Sequence, residues 1–181
     1  MAIHQQIKER GQVLRYHILL RFLENVSKNV VLQDLTPFFL MSKYRGRGQE
    51  LQAELDAIIS QQDYVYRATN MRTVDIYRHN GVISGRSGGT YMTTDFVGLD
   101  PKVLMDRGQV FPAWGEPEVL LRIPTSALDN AVVPRPLGES LSAGWEPFTE
   151  FYPAAGSGGI RQFMGTTKTW SDDWIIPLKQ D

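Results

Sequence analysis

No cysteine occurs among the 181 residues. Structural disulfides, thiolate nucleophiles and cysteine-ligated zinc are thereby excluded. Histidine is almost as scarce. His4, His17 and His79 are the only imidazoles. None stands at a metal-ligand spacing such as HExxH, so no metal site is expected. Neither sign of charge predominates: 19 Lys and Arg face 20 Asp and Glu, for a formal net charge of -1. That balance removes the broad electrostatic footprint of a nucleic-acid binder and leaves room only for a local basic patch. Long apolar runs are also missing. The longest, such as "VVLQDLTPFFLM", are short and interrupted, so no membrane span is expected. The opening "MAIHQQIKERGQ" is polar and lacks the apolar centre of a signal peptide. These absences together predict a soluble, cytoplasmic protein with no membrane partner.

What is present suffices for a packed core. Hydrophobic residues make up 42% of the chain and charged residues 22%, far from the composition of a disordered chain. The length suits one domain, or a small domain with an appendage.

The first third reads as helical. Val13, Tyr16, Leu20 and Leu23 recur at helical spacing, with Arg15, Arg21 and Glu24 between them. A second run, "VLQDLTPFFLMSKY", carries Pro37 early, where a helix start tolerates it. "RGRGQ" breaks the pattern, and "QELQAELDAIISQQD" resumes it with Leu51, Leu55, Ile58 and Ile59 on one face. Beyond Asp63, short runs rich in Tyr, Val, Ile, Thr and Phe alternate with glycine and proline clusters, the signature of strands. The expected elements are a strand over 64–69, a helix over about 71–79 and a strand over about 90–94. A glycine-rich loop at 85–89 precedes that second strand. Asp100-Pro101 opens another helix. "EVLLRIP" is a strand and "TSALDN" a helical turn. Two late strands are expected in "EPFTEFY" and "GIRQFMG". The domain boundary is expected near residue 61, between a helical region 1–61 and an α+β region 62–181.

Three stretches carry possible chemistry. Arg67 stands in "YVYRATN", within a strand-like alternation that would ordinarily leave a charge on the solvated face. Arginine is also the side chain best suited to two-point phosphate recognition. "GGTYMTTD" brings Tyr91, Thr93 and Thr94, which are equally at home as β-formers. "AAGSGGIRQFMG" brings Gln162 after a glycine-rich turn. A cation for phosphates, a ring for stacking, hydroxyls and an amide for ribose are the parts of a dinucleotide site. No GxGxxG or P-loop competes with them. Trp145 beside Glu146 borders this set, whereas Glu146 and Glu150 read most simply as strand decoration. Tryptophans are expected mostly as buried anchors. His79 in "YRHNG" reads as a helix end capped by Asn80-Gly81. Lys43, Arg45 and Arg47 read as a solvated hinge.

The order of "YRATN", "TYMTT" and "GSGGIRQF" resembles the bacterial mono-ADP-ribosyltransferase toxins. In that family a strand-borne Arg is followed by an aromatic-hydroxyl strand, then by a Glu or Gln after a glycine-rich turn. The resemblance spans roughly residues 64–165, and "EVLLRIPTSALDNAVVPRP" is similar to the family's middle strand and turn. It implies a split β-sandwich core preceded by helices, with NAD+ as co-substrate in a cleft between two small sheets. Arg67 would clamp the phosphates, with Tyr66 and Ala68 supplying backbone. Tyr91, Thr93 and Thr94 would shape the nicotinamide pocket. The catalytic position falls on Gln162, where a neutral amide can bind a ribose hydroxyl but offers no charge to a developing cation. The resemblance therefore leaves open a Gln-using branch, a carboxylate supplied by Glu150, or a binder without catalysis. It also implies a macromolecular acceptor, protein or nucleic acid, and an immunity or antitoxin partner. Plain NAD+ hydrolysis is a close variant. Two readings from other classes stand beside it. One is a toxin RNase using Arg67, His79 and Arg161. The other is a non-enzymatic interaction module displaying "TPFFLM".

Overall fold

The computed structural model describes residues 43–85, 89–134 and 145–179. The helical runs expected before residue 43 lie outside them. All described residues fall within one compact unit. Its architecture is α+β, with helices packed on a six-stranded antiparallel sheet.

Helix α1 spans Gly48–Gln61 and buries Leu51 and Leu55. Full burial of each leucine is worth about 2 kcal/mol of transfer free energy. Both join the main core with Val65, Leu121, Ile123 and Phe163 of the sheet. The boundary expected near residue 61 thus marks the change from helix to strand, while α1 and the sheet share one core.

Strand β1 is Tyr64–Thr69. Helix α2, Met71–Asn80, starts at the N-cap Asn70, whose side chain accepts from Thr73 N, and ends at Gly81 in the left-handed region at φ 70°. Asparagine and glycine in those places are what the two helix ends require. Strand β2 is Thr90–Thr93. Helix α3, Pro101–Gly108, begins as its sequence predicts: Asp100 accepts from Lys102 N at 2.8 Å and Val103 N at 3.3 Å. Strand β3, Val119–Pro124, is followed by a single 3-10 turn, Thr125–Ala127. Strand β4 is Leu128–Val132, β5 is Gln162–Thr167 and β6 is Ile175–Pro177.

Three expectations need correction. "EPFTEFY" forms no strand; it makes one isolated bridge, Phe148 to Arg161. Strands β4 and β6 stand where none was expected. The strands are ordered β4-β5-β2-β1-β3-β6 in one sheet rather than two. That sheet has a weak seam. Strands β1 and β3 pair along six residues, but β1 and β2 share only Tyr66 with Thr93. Each outer group of three strands is continuous, and that single pair joins the two groups.

Alternation sends Leu120 and Leu121 to opposite faces. Leu121 joins the main core with α1 and α2, and Leu120 joins a smaller cluster with Leu104 of α3 and Leu178. The sheet is therefore covered by helix on both faces around the seam.

Candidate functional site

A cleft of about 770 Å³ opens at the seam. Arg67, Tyr91, Glu146 and Gln162 all line it, together with Phe111, Trp114 and Tyr152. A smaller hollow of about 130 Å³ adjoins it, lined by Tyr66, Thr93, Phe96 and Val97. Both share Arg67, Ala68, Tyr91 and Gln162. Tens of residues apart in sequence, these side chains meet because β1, β2 and β5 are neighbours and because Tyr66, Thr93 and Gln162 stand in one register row.

Arg67 projects by strand alternation to the side opposite Tyr66 and Ala68. Arg67 is nonetheless among the residues that line the cleft. Nη1 donates to the Tyr91 carbonyl at 2.6 Å, and the guanidinium carbon lies 5.9 Å from the centre of the Tyr77 ring. Nε is buried without a hydrogen-bond partner. Among the described residues no carboxylate pairs with Arg67. A half-buried guanidinium with unused donors favours an anionic ligand.

Glu146 is the feature that sequence reasoning undervalued. It is only 2% exposed. One carboxylate oxygen is buried with no hydrogen-bond partner among the described residues. Burial raises its pKa from the usual 4.5 to about 6, and the neighbouring Tyr91 hydroxyl pulls it part of the way back. Tyr91 responds in kind: burial of its hydroxyl, then the Glu146 charge, push that phenol up to about 12. Tyr152 is raised for the same two reasons. A buried carboxylate beside two phenols, its charged form disfavoured by burial, is a group with a perturbed titration in a cleft wall. Its sequence signal was present in "WEPF", a single acid enclosed by apolar neighbours.

Gln162 lies in the cleft wall, but its amide is already committed. Nε2 donates to the carbonyls of Glu146 at 3.1 Å and Phe148 at 3.3 Å. It therefore holds the segment that carries Glu146. Thr93 lines the smaller hollow, where its hydroxyl accepts from Asp95 N at 2.9 Å. Thr94, one residue on, is buried, bonds to Asp95 Oδ1 at 3.1 Å and lines neither space. Tyr66 stacks obliquely on Phe96 at 5.2 Å between ring centres. Glu150 does not line the cleft; Lys43 pairs with it at 3.5 Å. The RNase constellation is not assembled either. His79 is exposed at the end of α2, and Arg161 packs on Phe148 and faces Glu54 at 3.8 Å.

The mouth is held by Gln109. It caps α3 with φ 51°, a left-handed conformation uncommon outside glycine. Its buried side chain accepts from Tyr152 N at 2.9 Å and donates to the Gly156 carbonyl at 3.1 Å. The loop between is tied down further: Thr149 Oγ1 donates to Arg107 O at 2.6 Å, and Ser157 bonds Asp106. Gly158, at φ 64°, lies so close that a Cβ there would collide with the Thr149 carbonyl. Gln109→Ala removes the partners of two part-buried backbone groups and is expected to lower stability by about 1 kcal/mol in urea unfolding. An unchanged midpoint would show that Gln109 does not hold the loop.

Compared with protein-family models, curated proteins and solved structures, the chain matches none of them.

Proposed function

We propose that the chain is a mono-ADP-ribosyltransferase domain that takes NAD+ into the cleft at the seam. The observation that carries the reading is the convergence of Arg67, Tyr91 and Glu146 on one space of about 770 Å³. That volume suits a small-molecule ligand of this size class. An anion-seeking guanidinium, a ring for a planar group and a buried carboxylate are the complement of a dinucleotide that carries phosphates and a cationic nicotinamide. The near-division of the sheet at Tyr66 and Thr93 supports a split core.

In this reading Arg67 holds the phosphates and Tyr91 packs on the nicotinamide. Glu146, rather than Gln162 or Glu150, faces the ribose. The bond from the nicotinamide nitrogen to the ribose carbon breaks, its electron pair leaves with nicotinamide, and the acceptor bonds to that carbon and releases a proton. The ionised Glu146 offsets the positive charge that develops on the ribose. Charge stabilisation of this kind is commonly the largest catalytic contribution. Water in place of the acceptor would give NAD+ hydrolysis. A toxin or effector role and a cognate immunity protein rest on the motif resemblance alone.

The direct test is nicotinamide release from NAD+ by the purified protein, with cell lysate supplying acceptors. No release under either condition would sink the reading. Position 162 provides a sharper check. If Gln162 merely occupied the place of a catalytic glutamate, Gln162→Glu would raise turnover. Here the new carboxylate would face the carbonyls of Glu146 and Phe148, so turnover is expected to fall about tenfold, the loss of one or two supporting hydrogen bonds. Faster release by the variant would return the catalytic role to position 162.

A further inference from the structure

The sheet ends in two edge strands, and the protein closes them differently. Strand β6 is three residues long and finishes in Pro177, which has no N–H to offer a neighbour. Strand β4 has no such device. Its "LDNAV" holds five residues, with neither proline nor a basic side chain. One side of β4 pairs with β5. In an antiparallel ladder every second residue turns its N–H and C=O away from the partner. The outer side of β4 therefore presents the backbone groups of Ala131 and Val133.

Helix α1 meets those groups with one side chain. Gln52 Nε2 donates to the Ala131 carbonyl at 2.8 Å, and the Val133 N–H donates to Gln52 Oε1 at 3.1 Å. A carbonyl and the N–H two residues on are the pair that one residue of an adjoining parallel strand would engage. The carboxamide carries the donor and acceptor of a peptide group and takes both. The second N–H of Nε2 goes to Asp56 Oδ1 at 2.9 Å, within α1. The reverse orientation would set the amide oxygen against two acceptors, so the side chain has one way to sit. It does the work of a strand without being one.

The partner that this edge suits is its own copy. Antiparallel pairing of β4 with β4 about a twofold axis at Ala131 sets Asn130 opposite Val132 and Asp129 opposite Val133. No like charges then face each other. Val132, 40% exposed, would gain a neighbour.

We propose that Gln52 is a lock on the β4 edge, and that the edge it closes is a strand-pairing surface for a second copy of this chain. The proposal is independent of the NAD+ reading, because neither α1 nor β4 contributes a residue to the cleft.

The test removes the amide and keeps the rest. Gln52→Met retains the length and helix preference of the side chain and loses all three hydrogen bonds. Light scattering after size exclusion, over a wide range of protein concentration, should show the variant rising toward double the parent's mass. Hydrogen exchange then locates the contact. In dilute variant the Val133 amide should exchange about tenfold faster than in the parent, having lost its acceptor. At high concentration residues 128–133 should regain protection. Val132→Lys added to Gln52→Met should restore the parent's mass, since a lysine on an open edge opposes pairing. Equal mass of parent and Gln52→Met at every concentration would overturn the proposal. So would a gain in mass without renewed protection at 128–133, which would put the contact elsewhere. The parent alone supplies a check that no variant's folding can blur: an unprotected Val133 amide would mean that Gln52 does not close the edge.

Discussion

Glu146→Gln is expected to lower nicotinamide release about 100- to 1000-fold while the protein folds normally. The size is that of removing one preorganised charge from a developing ionic transition state. The isosteric amide keeps the packing around position 146 and removes only the charge. Two further measurements separate this from a structural effect. The first is the pH profile. Glu146 titrates near 6 because burial disfavours its charged form, and only the ionised form can offset a cation. Release by the parent protein should therefore rise as pH increases through about 6, and residual release by the variant should lack that rise. The second is stability. A carboxyl that titrates near 6 when folded and near the usual 4.5 when unfolded binds its proton more tightly in the folded state. Its contribution is full below 4.5 and is lost as pH rises through 6, a loss of about 2 kcal/mol. The glutamine variant escapes that loss. Above pH 6 it should be less active and more stable than the parent, a combination that a disrupted fold cannot produce. Glu150→Gln serves as the contrast. It breaks a partly exposed pair with Lys43 and weakens a side-chain hydrogen bond with Tyr44, both outside the cleft, so release should stay near the parent level. If Glu150→Gln abolished release and Glu146→Gln did not, the assignment would be reversed.

The elements were legible where local chemistry decides them. Asp100-Pro101 and Asn80-Gly81 mark helix ends through capping, and α1 announces itself through Leu51 and Leu55 at helical spacing. Strands β1, β2 and β3 carry the expected residue types. Strand β4 was hidden because its "LDNAV" carries Asp129 and Asn130 at a register shift between Leu128 and Asn130. Strand β6 is three residues long, ends in Pro177 and lies at the sheet edge, where proline is tolerated. "EPFTEFY" reads as a strand, yet the Gln162 side chain takes the carbonyls of Glu146 and Phe148. In the site, the order of Arg67, Tyr91 and Gln162 could be read from the motifs. Which carboxylate faces the cleft could not. Glu146 and Glu150 are four residues apart in one irregular segment, and only the path of that segment past β5 sends one inward and the other to Lys43. The aromatic mouth was illegible for the same reason. Phe111 and Tyr152 are distant in sequence; their rings meet directly, and the Gln109 amide ties down the backbone at Tyr152.

Arg67→Ala is expected to weaken binding of ADP-ribose about 10- to 100-fold by calorimetric titration, the range for hydrogen bonds to a charged group. ADP-ribose isolates the clamp because it carries the phosphates and lacks the group that leaves. Arg67→Lys tests what kind of clamp it is. A lysine keeps the charge but has no planar fork, and it cannot donate to the Tyr91 carbonyl and a phosphate with the same geometry. It should recover only a small part of the affinity. The Tyr91 bond matters for a second reason. At 2.6 Å it joins β1 to β2 where their backbone ladder has a single pair. Losing it should lower stability by about 1 kcal/mol, a modest cost that unfolding in urea would register. The two effects differ in their dependence on salt. Strand tethering by a hydrogen bond to a carbonyl is nearly insensitive to it, whereas phosphate recognition weakens as ions screen the charges. A parent protein whose ADP-ribose affinity falls with salt, beside an Arg67→Ala variant whose residual affinity does not, would place the phosphates at Arg67. Equal affinity of parent and folded variant would leave Arg67 as a strand tether. The seam would then be a structural feature, and the case for NAD+ would rest on Glu146 alone.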